Sequence, residues 1–306
     1  MSSRYVFSNS QSKALKLTTW LSMLIASSLP LVLWRTLSQG EPLWWPLVTA
    51  SALVAITIST HLMSTLKPLR GFMLVLLLIF FLGFGGGWQW GLIPFVRESD
   101  IWTAWLSNAS WSQSAIATHL LRLVPALSLL VMLTLMGRRR CDLFLIKGEI
   151  NALAKPSKLL GMKKPEPWIK IGSTFAIIFV GGTLAFLILS SPPSIQSLVS
   201  SLHLIPVAIL IAAINGFNEE FTLRAAPLAE LRRALGNFDA LILTSTFFGL
   251  GHYYGIPNGI VGVALSSFLG WFLGKSMLET RGFFWAWICH FLSDVVIFSF
   301  LAIGSA

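Results

Sequence analysis

Two carboxylates and a guanidinium stand at the end of a run too apolar for water. Asn218-Glu219-Glu220-Phe221-Thr222-Leu223-Arg224 follows Leu204 to Phe217, where almost nothing is polar except Asn215. On a helix Glu220 and Arg224 are four residues apart and face each other, so that pair can hold itself neutral. Glu219 is turned roughly 100° away and needs another partner. A carboxylate near hydrocarbon costs at least a few kcal/mol unless it is paired or lines a wet cavity, which makes Glu219 the first candidate for chemistry. For this stretch alone, a plain helix end at the lipid headgroups remains open. Two further polar clusters interrupt apolar runs: Phe248-Gly249-Leu250-Gly251-His252 and His290-Phe291-Leu292-Ser293-Asp294. In the second, the four-residue spacing stacks Asp294 against His290 on one helical face, where it can fix the imidazole's tautomer and orientation. A lone membrane histidine is more often packed than catalytic. Three clusters in three apolar runs point to a common interior.

The elements that must position these groups follow from composition. With 55% hydrophobic and 11% charged residues and a mean hydropathy of +0.76, the chain is no ordinary soluble globule. It reads as all-α, a polytopic helical membrane protein. Apolar runs long enough to span about 30 Å number about nine, over 17–36, 43–65, 71–94, 115–137, 169–190, 204–223, 238–256, 259–279 and 283–303. The net charge of +10 does not indicate nucleic acid, because the Lys and Arg residues collect in alternate loops. Of 22, 19 fall on the side of the N-terminus, and only Arg35, Arg97 and Arg122 lie opposite or within a span. This alternation places the N-terminus in the cytoplasm and the C-terminus outside. Arg4, Lys13 and Lys16 precede a first span that carries Trp20 and Trp34 and lacks a small-x-small cleavage site, so it reads as an uncleaved helix. Trp44, Trp45, Trp88, Trp90, Trp102, Trp105 and Trp111 make an interfacial belt, with a half-submerged helix over 101–113. Gly83, Gly85, Gly86 and Gly87 loosen the third run. Cys141 and Cys289 fall at different depths, so no disulfide is expected.

The basic, proline-punctuated stretch 138–168 divides an N-terminal four-helix region, 1–137, from a C-terminal membrane core, 169–306. Its charge suits topology and contact with anionic lipid. Within the core, Glu219 lies about 17 residues before a turn near Gly236-Asn237 and His252 about 15 after it. A hairpin would therefore put both within about 3 Å of the same height. Gly262, Ser266, Gly270 and Gly274 give the run 259–279 a small face on which a neighbour can pack closely.

The three clusters resemble the motifs of the CPBP intramembrane proteases, which include CAAX proteases and bacteriocin-processing enzymes and are also called the Abi family. Glu-Glu-x-x-x-Arg stands as Glu219, Glu220 and Arg224; Phe-x-x-x-His as Phe248 and His252; His-x-x-x-Asn/Asp as His290 and Asp294. The resemblance covers roughly 168–306 and implies a CPBP-type core with peptidase activity. It implies that Glu219 and His252 activate water, that His290 and Asp294 bind the oxyanion, and that Glu220 and Arg224 brace the helix. Glutamate can take a proton from water and pass it to the leaving amine, and donors aimed at the oxyanion contribute a few kcal/mol each. Many relatives have Asn where this chain has Asp294, which cannot donate when ionised. It could instead accept from His290, making that ring the oxyanion donor.

Members of the family are often labelled metalloproteases, and Glu219, His252 and His290 are adequate zinc ligands. His-Glu-x-x-His is absent, however, and the expectation here is a metal-independent enzyme. Two readings from other classes stand beside it. One is a non-catalytic scaffold or bacteriocin-immunity-type protein; the other is an ion-coupled transporter, disfavoured by the lack of internal repeats. The expected partners are a membrane-bound protein or lipidated peptide substrate and the bilayer, with no nucleic acid. The expected location is a bacterial plasma membrane.

Overall fold

The computed structural model describes residues 9–37, 44–83 and 90–305. Arg4, Gly85, Gly86, Gly87 and Trp88 lie outside these residues. The chain runs through α1 (Asn9–Ala26), α2 (Leu29–Leu37), α3 (Trp45–Leu62) and α4 (Arg70–Leu82). Two short helices, α5 (Leu92–Glu98) and α6 (Asp100–Leu106), precede α7 (Trp111–Leu135). Strands β1 (Leu153–Ala154) and β2 (Glu166–Pro167) pair antiparallel before α8 (Trp168–Ser190) and α9 (Ile195–Ser200). The last helices are α10 (Ile205–Glu219), α11 (Ala226–Leu235), α12 (Asn237–Gly251), α13 (Gly259–Thr280) and α14 (Phe284–Gly304).

Six described helical segments are long and apolar enough to cross a membrane, or seven if α1 and α2, bent by 59°, make one span. The expected nine are not reached, because an apolar run is not always a helix of the same length. In the run 71–94 the helix α4 is 13 residues long and is capped by Gly83, whose φ of 70° favours glycine. In the run 238–256 the helix α12 is 15 residues long, counted from Asn237, and ends before His252. At about 1.5 Å per residue neither spans the roughly 30 Å hydrocarbon core alone.

The chain forms two compact units: Met1–Pro94 with Ala226–Trp271, and Phe95–Ala225 with Phe272–Ala306. In the first, α11 packs on α12 and α4, and α1 packs on α3. The Ser28 hydroxyl donates to the carbonyl of Leu250. Part of the small face expected of 259–279 meets α12, since a Cβ on Gly270 would lie 3.3 Å from Ser245 Cα. The approach is tighter at Gly249, where a Cβ would fall 1.9 Å from Ser267 Oγ and 2.7 Å from the Val263 carbonyl oxygen. In an open helix Gly→Ala is worth up to about 1 kcal/mol of stability. Here the hydroxyl can rotate away but the carbonyl cannot. Overpacking of about 1–3 kcal/mol outweighs the propensity gain. Gly249→Ala is therefore expected to lower the thermal unfolding midpoint of the purified protein; an unchanged or raised midpoint contradicts this packing.

In the second unit α10 packs against α14 and α7, and α14 packs against α8. Trp287 Nε1 donates to the Ala213 carbonyl at 3.2 Å, tying α14 to α10. The basic stretch is pinned to its own unit. Trp285 Nε1 donates to Ile150 O at 2.8 Å, and Trp168 Nε1 to Glu279 Oε2 at 3.0 Å. Lys275 Nζ, 2.5 Å from Glu279 Oε1, also donates to the Lys155 carbonyl.

Candidate active site

The first motif sits where a helix changes gauge. The span Leu202–Leu235 begins with a 3-10 turn at Leu202–Leu204, is α-helical as α10 over Ile205–Glu219, opens into a π-helix over Glu220–Ala225, and resumes as α11. Pro227 supplies a local cause. Its ring has no N–H for the Leu223 carbonyl and would clash with that oxygen in a regular helix, so the wider turn before it makes room. Glu220 and Arg224 face each other as their spacing predicts, joined through Glu220 Oε1 and Arg224 Nη1, and both are fully buried.

Around this turn the second unit gathers Asn215, Glu219, Glu220, Arg224, His290 and Asp294. Glu220 Oε1 also meets His290 Nδ1 at 2.7 Å, so the bond orienting the third-motif ring comes from the first motif, 70 residues away. An ionised carboxylate only accepts, so Nδ1 donates. Nε2 then points between two further carboxylates, 3.6 Å from Glu219 Oε2 and 3.6 Å from Asp294 Oδ2. Asn215 Nδ2 bridges those carboxylates, donating to Glu219 Oε1 at 3.2 Å and to Asp294 Oδ2 at 2.9 Å.

Glu219 also has a partner that motif reading does not supply. Arg122 of α7 donates from Nη2 to Glu219 Oε1 at 3.0 Å, with both side chains largely buried. Its neighbour on the same helix, His119, donates from Nδ1 to Ala115 O and packs edge-on against Phe298. Asn218 Nδ2 reaches the His119 carbonyl at 3.3 Å. The signal for Arg122 was present in the sequence: it is one of three arginines that break the charge alternation, and an arginine inside a span calls for an anionic partner. Asn215 carried the same kind of signal, as almost the only polar side chain in its run.

His252 and Phe248 belong to the first unit. His252 Nδ1 donates to the Phe248 carbonyl at 2.8 Å, and the rings lie 4.4 Å apart. The Phe-x-x-x-His spacing thus fixes the tautomer, leaving Nε2 as the acceptor of the neutral ring. Gly262 lies close beneath, where a Cβ would come within 3.1 Å of the His252 carbonyl oxygen. Among the described residues, no group of three or more His, Cys, Asp and Glu side chains is arranged to hold a metal ion.

The second-unit cluster can orient water against a carboxylate, hold an imidazole by one nitrogen while presenting the other, and keep three acidic groups together through an arginine pair and an amide. No curated protein and no solved structure matches the chain. Residues 201–296, which contain all three motifs, match the family model described as type II CAAX prenyl endopeptidase Rce1-like, so this stretch of the membrane protein is similar to the CAAX-type proteases.

Proposed function

We propose that the protein is an intramembrane endopeptidase that hydrolyses a peptide bond in a membrane-associated or lipidated protein, cutting near the cytoplasmic face of a bacterial plasma membrane. The observation that carries this reading is the paired presentation of Glu219 and His290: a carboxylate oxygen and an imidazole nitrogen 3.6 Å apart, each held from behind. Glu219 takes a proton from water as the water oxygen attacks the scissile carbonyl, and the resemblance to the CPBP motifs gives His252 a part in activating that water. The carbonyl π electrons move to oxygen, and His290 Nε2, when protonated, donates to that oxyanion with Asp294 beside it. Collapse expels the amine, which receives the proton held by Glu219. Glu219 suits the role of base better than Glu220 because it is 8% exposed and Glu220 0%, with Glu220 Oε1 engaged by Arg224 and His290.

The surroundings of Glu219 and His290 do not fit a zinc ion. A guanidinium against Glu219 Oε1 repels a second cation there, and among the described residues no three His, Cys, Asp or Glu side chains are arranged around a common metal position. On the same reading the N-terminus lies in the cytoplasm and the C-terminus outside.

The test is cleavage of a quenched fluorescent peptide set, including lipidated members, by purified protein with and without a chelator. The parent is expected to cleave at least one member equally in both conditions, and His252→Ala to lose about 100-fold or more. Loss of the parent's activity on chelation would restore a metal enzyme. Silence of the parent on every member would leave a non-catalytic membrane protein.

A further inference from the structure

We infer that Arg122 is a positioning residue for the reaction, the counter-charge that aims Glu219 and balances the negative charge as it passes to the oxyanion. This rests on the peptidase reading above. It goes beyond the motifs, because Arg122 stands on α7, outside the matched residues 201–296.

Three observations carry it. Arg122 lies about halfway along the 25-residue α7, where an unpaired guanidinium would be costly, and its Nη2 is directed to Glu219 at 3.0 Å. It binds Oε1, the same oxygen that accepts from Asn215, so both hydrogen bonds hold one oxygen and Oε2 is the one presented to His290. The helix is also adapted at this point. Pro125 has no N–H for the Leu121 carbonyl, which loosens the turn that carries Arg122, and Asn218 clasps the preceding turn through the His119 carbonyl.

The charge count follows from the proposed step. Before attack, Arg122 faces the Glu219 anion. When Glu219 takes the water proton it becomes neutral and one negative charge appears on the substrate oxygen; when the proton goes to the amine the charge returns to Glu219. A fixed cation beside Glu219 is balanced at each stage without movement of the protein, which is electrostatic preorganisation. His119, His290, Arg97, Asp294 and Glu220 are the other charged or titratable groups around this pair; Arg122 is the guanidinium hydrogen-bonded to Glu219 Oε1, while the His290 ring stands 3.6 Å from Oε2.

The experiment uses the full chain in lipid nanodiscs with the best-cleaved peptide. Arg122→Gln is expected to lower kcat about 100-fold with KM within about threefold of the parent, since the base is misdirected while the peptide still binds. Arg122→Lys, which keeps the charge, is expected to hold kcat within about tenfold. Guanidinium ion added to Arg122→Ala is expected to restore turnover in a saturable way, which a structural role alone would not produce. A cleaving parent with an equally active Arg122→Gln overturns this inference and leaves the peptidase reading intact. A parent silent on every peptide overturns the peptidase reading and this inference with it. Where Arg122→Gln does not fold, Arg122→Lys decides: a folded Lys variant as slow as Glu219→Gln overturns the inference.

Discussion

Glu219→Gln is expected to lower peptide cleavage by about 10³- to 10⁴-fold while leaving KM close to the parent's. The amide keeps the shape of the side chain and an oxygen able to accept from Arg122 or Asn215, which now both bind Glu219 Oε1. What it removes is the capacity to take a proton, and general base catalysis contributes about 10²–10⁴ in rate. Loss of an interaction made only in the transition state lowers kcat and kcat/KM together. The effect should exceed that of Arg122→Gln, since a misaimed base still accepts a proton and an amide does not. Steady-state kinetics on the best-cleaved peptide checks it, with substrate binding to the variant measured separately. A folded Glu219→Gln that cleaves at the parent's rate would remove Glu219 from the role of base and leave Glu220 or His252 to be tested next.

Much of this cluster was legible from spacing. The Glu220–Arg224 pair follows from four residues on a helical face, and it survives the change to π geometry because residues four apart also fall on one side of the wider turn. The Phe248–His252 stack is equally local. What spacing could not supply were the long-range partners. His290 and Asp294 share a helical face, yet their closest approach is 3.6 Å, whereas Glu220 reaches His290 at 2.7 Å from another helix. Local periodicity says which side chains share a face and nothing about which face of another helix meets it. The π turn itself had one visible trace, Pro227, whose effect on the preceding turn depends on geometry that composition does not carry. The count of nine spans is not confirmed for a simpler reason: hydropathy measures how apolar a run is, and α4 ends at a Gly83 cap and α12 at a His252 cap inside runs that stay apolar. Arg122 was visible as a breach of the charge rule, and its partner was the carboxylate that the helical arithmetic had left over.

Glu220→Gln carries the largest expected effect on stability. Glu220 and Arg224 are both fully buried, and Glu220 Oε1 serves Arg224 and His290 together. Removing one member of a buried ion pair costs about 3–5 kcal/mol, because the remaining charge is left without its counter-charge. For a chain of this size that corresponds to a fall of about 5–8 °C in the thermal midpoint. Arg224→Met should cost a similar amount, since it strands the carboxylate. The double variant Glu220→Gln/Arg224→Met removes both charges and should recover much of the lost midpoint, as apolar replacement of a whole buried pair is often neutral. Activity should not recover with it. Gln at 220 can still accept from His290 Nδ1, but without the negative charge that holds the ring, His290 Nε2 loses its fixed aim toward Glu219 and Asp294. Thermal unfolding and peptide cleavage measured on the same four proteins separate the two roles. Recovery of stability without activity assigns Glu220 to orienting His290 as well as to bracing the helix. Recovery of both would confine Glu220 and Arg224 to the fold.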